Sequence, residues 1–198
     1  MEEIVEVVDN IIIYYSKIIK NFSDINNYKI NLSKNRIKHI YSKDIIKYIK
    51  FYHSFLSDKI TCSDNYLMRV NKFRIKNMNS IIDKIDRYLS NYLKGNQEIS
   101  KSLNDILGFR LYIDNSYNYY ELYNQLISFY RDNSYIKNII VSKKGNYLAI
   151  HIYFKIDNYN FPCELQLWRF KDIEKNEVSH KMYKQEYTNN ENIEGGAL

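Results

Sequence analysis

Three stretches of this chain hold residue types suited to handling phosphates. Residues Phe73–Tyr88 read F-R-I-K-N-M-N-S-I-I-D-K-I-D-R-Y. With residues 76–88 helical, Lys76, Ser80 and Lys84 fall at i, i+4 and i+8 on one face. Two ammonium groups flanking a hydroxyl can grip an extended polyphosphate: the lysines offset oxyanion charge and the hydroxyl donates between them. The same spacing also describes an ordinary solvated face. Next comes Asp105-Ile-Leu-Gly-Phe-Arg110. A carboxylate at the mouth of a strand suits Mg²⁺ held on a phosphate, with Gly108 allowing close backbone approach and Arg110 projecting from the same strand. The alternative is a charged pair at a strand edge.

The third stretch, Phe161-Pro-Cys-Glu-Leu-Gln-Leu-Trp168, is the sharpest local anomaly. By the period of two, Glu164 and Gln166 share one face while Cys163, Leu165 and Leu167 share the other. Burying a carboxylate costs several kcal/mol unless it is paired or binds a metal, so Glu164 lies on a solvated face or lines a site. Asp105 and Glu164 are candidates to converge on one Mg²⁺. Lys143-Lys-Gly-Asn-Tyr-Leu-Ala-Ile-His151 is a basic turn entering a strand, with Tyr147, Ala149 and His151 on one face. That face offers stacking for a base and a hydrogen bond from His151, or is a tyrosine-lined rim. His180 and Lys184 sit four apart near the end of the chain, and one of them is placed to reach the same site.

These residues need a scaffold. Ile4, Val7, Val8, Ile11, Ile12, Tyr15, Ile18 and Ile19 predict an amphipathic helix over 3–20. A polar stretch follows at 21–35, then helices over 43–57 and 78–93, with Gly95 as a stop. Leu107–Ile113 reads as a strand and Tyr117–Tyr130 as a helix. Residues 139–142, 147–156 and 159–168 are β-rich, the last two joined by a turn at Asp157-Asn158. A charged helix over 171–187 closes the pattern. The order predicts a single α+β domain with a mixed sheet of four or five strands flanked by helices. An N-terminal helical region, 1–70, packs on a core of 71–187, and 188–198 is a flexible tail.

The chain has 198 residues, with 29 Lys and Arg against 23 Asp and Glu for a net charge of +6, which suits an anionic partner. Five glycines and one proline exclude collagen-like and low-complexity classes. Two cysteines, Cys62 and Cys163, are too few for a disulfide scaffold and too far apart for a zinc knuckle, which leaves two reduced thiols. The acidic start lacks the basic region of a signal peptide, and no apolar run approaches a bilayer span, so a cytoplasmic protein without membrane contact is expected. The 21 tyrosines accompany heavy use of Ile, Asn and Lys, which weakens any argument from tyrosine count alone. There is no P-loop, no GxSxG and no His-Asp doublet.

Taken together and in order, the segments resemble the RelA/SpoT nucleotidyl synthetase domain, in the size class of small alarmone synthetases. The family's R-x-K-x-x-x-S-x-x-x-K is Arg74, Lys76, Ser80 and Lys84, and its D-I-x-G-x-R is residues 105–110. Its K-x-N-G-Y-x-x-x-H is Lys143, Tyr147 and His151 with the order swapped to Gly145-Asn146. Its E-x-Q is Glu164 and Gln166, and its H-x-x-Y-K is His180, Tyr183 and Lys184. The resemblance covers roughly residues 70–185.

It implies a nucleotidyltransferase-like fold and an ATP-dependent, Mg²⁺-dependent pyrophosphokinase acting on a ribose 3′-hydroxyl. By the resemblance, Arg74 and Arg110 sandwich the adenine, and Lys76, Ser80 and Lys84 hold the ATP phosphates. Asp105 and Glu164 bind Mg²⁺, with Glu164 also activating the hydroxyl. Tyr147 stacks on the acceptor base, supported by Lys143, His151 and Gln166. Three departures stand out: Trp168 replaces an arginine, the chain ends shortly after Lys184, and a Lys-rich helical region precedes the first motif. All three resemble the toxic branch that modifies the 3′-CCA end of tRNA and is held by an antitoxin. The tRNA end is therefore the expected acceptor, with Lys29, Lys34, Arg36, Lys38 and Lys43 as candidate backbone contacts. GTP or GDP, giving an alarmone, is the alternative. An inactive RNA- or nucleotide-binding module is the third reading, against which both carboxylates argue.

Overall fold

The computed structural model describes residues 1–41, 44–60, 65–67 and 69–182. Cys62, Lys43, Tyr183, Lys184 and the expected tail lie outside the described residues.

Helix α1 (Glu2–Ile25) buries Ile4, Val8, Ile11, Tyr15, Ile18 and Phe22 in one stripe. Phe22 continues the stripe beyond the predicted end and sits among Tyr48, Tyr52 and Phe55, at 5.0–5.6 Å between ring centroids. Those three rings belong to α2 (Ile45–Lys59), which packs its buried face against α1. Both helices share one hydrophobic core with the sheet. The Tyr15 hydroxyl bonds the Phe161 carbonyl, and the Tyr48 hydroxyl donates to the Tyr159 carbonyl at 2.6 Å.

The sheet is mixed and has five strands: β1 (Lys72–Ile75), β2 (Leu107–Ile113), β3 (Ile136–Lys144), β4 (Tyr147–Phe154) and β5 (Cys163–Arg169), in the order β1-β2-β5-β4-β3. β2 and β5 are parallel, and every other pairing is antiparallel. Strand β1 corrects the sequence reading, which left residues 72–75 unassigned and placed Lys76 in the following helix. Lys76 instead follows the end of β1, because Asn77 caps α3 (Met78–Ser90) by accepting from the Ser80 N–H at 2.8 Å. The helix also ends three residues before its predicted limit. After the short helix α4 (Ile99–Ser102), β2 crosses by α5 (Tyr119–Phe129) to β3. Asn118 accepts from the Tyr120 N–H at 2.9 Å, which fixes the α5 start two residues late.

β5 also begins later than expected, at Cys163 rather than 159. Asp157 Oδ1 accepts from the Tyr159 and Asn160 N–H groups at 2.8 Å, an Asx turn that holds this segment out of the ladder. The β3–β4 hairpin turns through Gly145-Asn146 with Gly145 at φ +55. Glycine first suits a type II′ turn, so the swapped order keeps a two-residue hairpin. After a 3₁₀ turn at Phe170–Asp172, residues 173–182 form a helix, α6. Among the described residues no helix is long and apolar enough to cross a membrane.

Candidate active site

One face of the sheet collects the charged residues. The register places Arg74 beside Gly108 and Gly108 beside Glu164. It likewise aligns Lys72, Arg110, Gln166 and His151 in the next row. Paired residues in a ladder share a face, so strands distant in sequence present one row each.

Asp105 stands just before β2 and joins the two halves of the phosphate-handling segment. Lys76 Nζ lies 2.6 Å from Oδ2, Lys84 Nζ 2.8 Å from Oδ1, and Arg74 Nη2 3.8 Å from Oδ2. Lys76 and Lys84 meet here although only Lys84 is helical, because β1 delivers one and α3 the other. Burial by itself raises the Asp105 carboxyl pKa. Lys84 and Lys76 outweigh that and hold it well below the usual carboxylate range. Burial pulls the Lys76 ammonium below its ordinary value despite Asp105. Ser80 occupies the first turn of α3, half-buried.

Glu164 is buried and lines the site, and each of its oxygens has a partner. Gln166 Nε2 donates to Oε2 at 2.8 Å, and His151 Nδ1 lies 2.8 Å from Oε1. His151 Nε2 is 2.6 Å from the Tyr147 hydroxyl and Nδ1 is 3.2 Å from the Tyr153 hydroxyl. With Nδ1–H facing the carboxylate, Nε2 accepts from Tyr147. Burial pushes the Glu164 carboxyl up, but His151 overrides it and the net shift is downward. Tyr153 was not singled out by sequence, although Tyr147, Ala149 and His151 continue to it at the same period. Burial, then the charge of Glu164, push the Tyr153 phenol far above its ordinary value.

A recess of about 110 Å³ opens above this row, lined by Arg74, Gly108, Arg110, Glu164 and Gln166 among others. Arg74 lies across Gly108, where an added Cβ would stand 3.6 Å from Nε, an ordinary contact. Within the protein itself, sterics do not require a glycine at this position. Arg110 donates to Gln166 Oε1 from Nη2 at 3.2 Å and rests on Trp168, with Cζ 3.4 Å from a ring centroid. Trp168 is fully buried and forms a platform beneath Arg110.

Helix α6 closes the other end. Asn176 accepts from the Leu148 N–H and donates to the Leu148 carbonyl, both at 3.0 Å, extending the β4 ladder where its pairing with β5 stops. Glu177 pairs with Lys72 at 2.7 Å. His180 stacks on Trp168 at 5.5 Å and meets Tyr147 edge-on at 5.1 Å. Burial draws the His180 pKa down to about 4. Tyr147 is consequently only 5% exposed, not an open stacking face. Lys143 is exposed in the hairpin and stands apart from this cluster.

The two site carboxylates are of the type a hard cation takes: Asp105 stands just before β2 and Glu164 near the start of its parallel neighbour β5, and Mg²⁺ takes one or two carboxylates and completes its shell with substrate phosphate and water. No cluster of three or more candidate metal ligands occurs among the described residues.

A family model described as a region found in RelA / SpoT proteins matches residues 73–189. The chain is also similar to the solved structure of small alarmone synthetase 2 from Bacillus subtilis, at 18% identity over 75% of this chain and 78% of that one, TM-score 0.38. Small alarmone synthetase 1 from Bacillus subtilis is similar at 13% identity over 76% and 77% of the two chains, TM-score 0.39. No curated protein sequence matches.

Proposed function

The chain belongs to the RelA/SpoT family, and on that premise we propose that it moves the β,γ-pyrophosphate of ATP onto a ribose 3′-hydroxyl at this site. The observation that carries the reading is the convergence of Lys76 and Lys84 on Asp105 beside the recess that holds Glu164.

Arg74 and Arg110 flank the adenine, with Trp168 and Gln166 fixing the Arg110 plane. Lys76 and Lys84 exchange Asp105 for ATP phosphates, and the first turn of α3, with Ser80, faces the same anions. Asp105 and Glu164 would hold Mg²⁺, which would offset phosphate charge. Glu164 takes the proton of the acceptor hydroxyl while His151 and Gln166 orient its two oxygens. The hydroxyl oxygen forms a bond to the β-phosphorus, the bond from that phosphorus to the α,β-bridging oxygen breaks, and AMP departs. Positioning and charge neutralisation supply most of the acceleration in such transfers.

The acceptor we favour is the 3′-CCA end of tRNA, supported by the net charge of +6 and the exposed Lys29, Lys34 and Lys38. On that reading the protein is a translation-blocking toxin with an antitoxin partner. The second reading, GTP or GDP as acceptor, is supported by the preserved Tyr147–His151–Gln166 row. Incubation with γ-³²P-ATP and Mg²⁺, with deacylated tRNA and GTP in parallel tubes, separates them. Label on tRNA that disappears when the terminal adenosine is removed supports the first. Label in a guanosine tetra- or pentaphosphate supports the second, and label in neither defeats both.

A further inference from the structure

Donor and acceptor must meet at Glu164 from two sides, and the sheet shows a hollow on each. The Arg74–Arg110 recess lies over β1, β2 and β5. Over β3 and β4 a second groove of about 550 Å³ opens, with Lys101, Lys137 and Lys155 on its walls and Tyr153 at its inner edge. Tyr153 is the register partner of Glu164, so this groove begins where the first one ends.

The groove is polar and its positive charge is poorly offset. Glu98 is its one carboxylate, and that group already serves Lys101 at 3.1 Å and Arg36 at 3.4 Å. Lys155 donates to neutral oxygens alone, Ser33 Oγ at 2.7 Å and Asn158 Oδ1 at 2.8 Å. Among the described residues no carboxylate forms an ion pair with Lys137 or Lys155. Burial and then the neighbouring Lys137 lower the Lys155 pKa, and the more remote charges of Glu98 and Asp157 offset only part of that. Like charges gathered in a concave, partly desolvated wall raise the local potential and favour an anion.

The shape indicates which anion. A further hollow of about 290 Å³ shares Glu98 and Lys101 with the groove and carries the strip on to Arg36. Exposed Lys34 and Lys38 flank Arg36 in sequence. The two hollows, about 550 and 290 Å³, together carry Arg36, Lys101, Lys137 and Lys155, a series of cations suited to successive phosphodiesters. The hydroxyl and amide groups of Ser33, Ser100 and Asn104 add contacts suited to phosphate and 2′-hydroxyl oxygens.

We infer that this groove binds the phosphate backbone of a single-stranded RNA 3′ end, leading its last nucleoside to Glu164. The inference rests on the proposed transfer only in placing the accepting hydroxyl at Glu164. Lys101 and Lys137 are exposed, so Lys101→Glu/Lys137→Glu is the main variant, and Lys155→Gln tests the inner wall. Two readouts are taken: anisotropy of a labelled CCA-ended RNA with wild-type and variant full-length protein, and transfer of label to tRNA and to GTP.

The double variant should bind RNA at least about tenfold more weakly, and the slope of log K against log salt should fall by about 1.4. Its tRNA KM should rise while ATP binding and GTP kinetics stay unchanged. Equal RNA affinity for the two proteins overturns the groove, whatever the transfer assay gives. An equal loss with GTP also overturns it, since the lysines would then serve a mononucleotide. Wild-type protein that binds RNA through these lysines yet transfers no label defeats the proposed transfer and leaves the groove standing.

Discussion

On the β1–β2–α3 side of Glu164 the site is ionic and complete. On the β4–α6 side it is aromatic and covered. Lys76, Lys84 and Arg74 are preset around Asp105, so on the proposed function a polyphosphate exchanges one anion for another with little rearrangement. Around Tyr147 the packing is ring on ring, with Trp168 and His180 each meeting it edge-on. On the proposed function the halves have different tasks: one is preset for its ligand, and the other must be uncovered before a base can stack on Tyr147.

The contrast can be broken most severely at its centre. Glu164→Gln keeps the shape and the Gln166 contact but removes the base, so transfer should fall by about 10²–10⁴ with ATP binding retained. A variant with near-normal turnover contradicts the role given to Glu164. Asp105→Ala should strip the donor side of its charge balance and leave two half-buried ammoniums facing each other. A loss of about 3–5 kcal/mol is expected in chemical denaturation, together with loss of transfer. Stability unchanged by this variant would mean that the two lysines do not depend on Asp105.

A smaller effect tests the platform. Trp168→Leu removes the ring beneath Arg110, and the ATP KM should rise about twofold to thirtyfold with a smaller change in kcat. A normal KM would show that Gln166 alone orients the guanidinium. The covered side answers to pH. An undocked imidazole takes its proton near 6.5, and burial lowers that of His180 to about 4. The folded value is the lower of the two, so α6 docking is complete above pH 6.5 and is lost as pH falls toward 4. Trp168 is the sole tryptophan, and its fluorescence should change across that window in wild-type protein but not in His180→Asn. Identical titrations of the two proteins remove His180 as the responsive group. Smallest of all, Gly108→Ala should alter ATP affinity less than about twofold, since its Cβ makes only ordinary contact with Arg74.

Much of this was legible before the fold. The alternation around Glu164 already placed a carboxylate with Gln166 on one face of an apolar strand, and the structure puts it there, buried and paired. Other features depend on partners remote in sequence. Lys72-Phe73-Arg74-Ile75 alternates correctly for a strand, but a four-residue edge strand is defined by its pairing with β2, about 35 residues away. The meeting of Lys76 and Lys84 was expected from one helix face and is achieved instead by a strand end and a helix. Asn176 carries no sequence signal in an Asn-rich chain, because its role comes from lying opposite Leu148 where β5 ends. Tyr147 looked like an open platform for the same reason: the period of two gives its face and says nothing of α6 lying over it.

The identity of the nucleotide left behind when ATP is consumed tests the central chemistry most directly. Pyrophosphate transfer breaks the bond at the β-phosphorus, so the account predicts AMP, one for each acceptor modified, and none from Glu164→Gln. ADP as the product, or AMP formed without a matching modified acceptor, would contradict it.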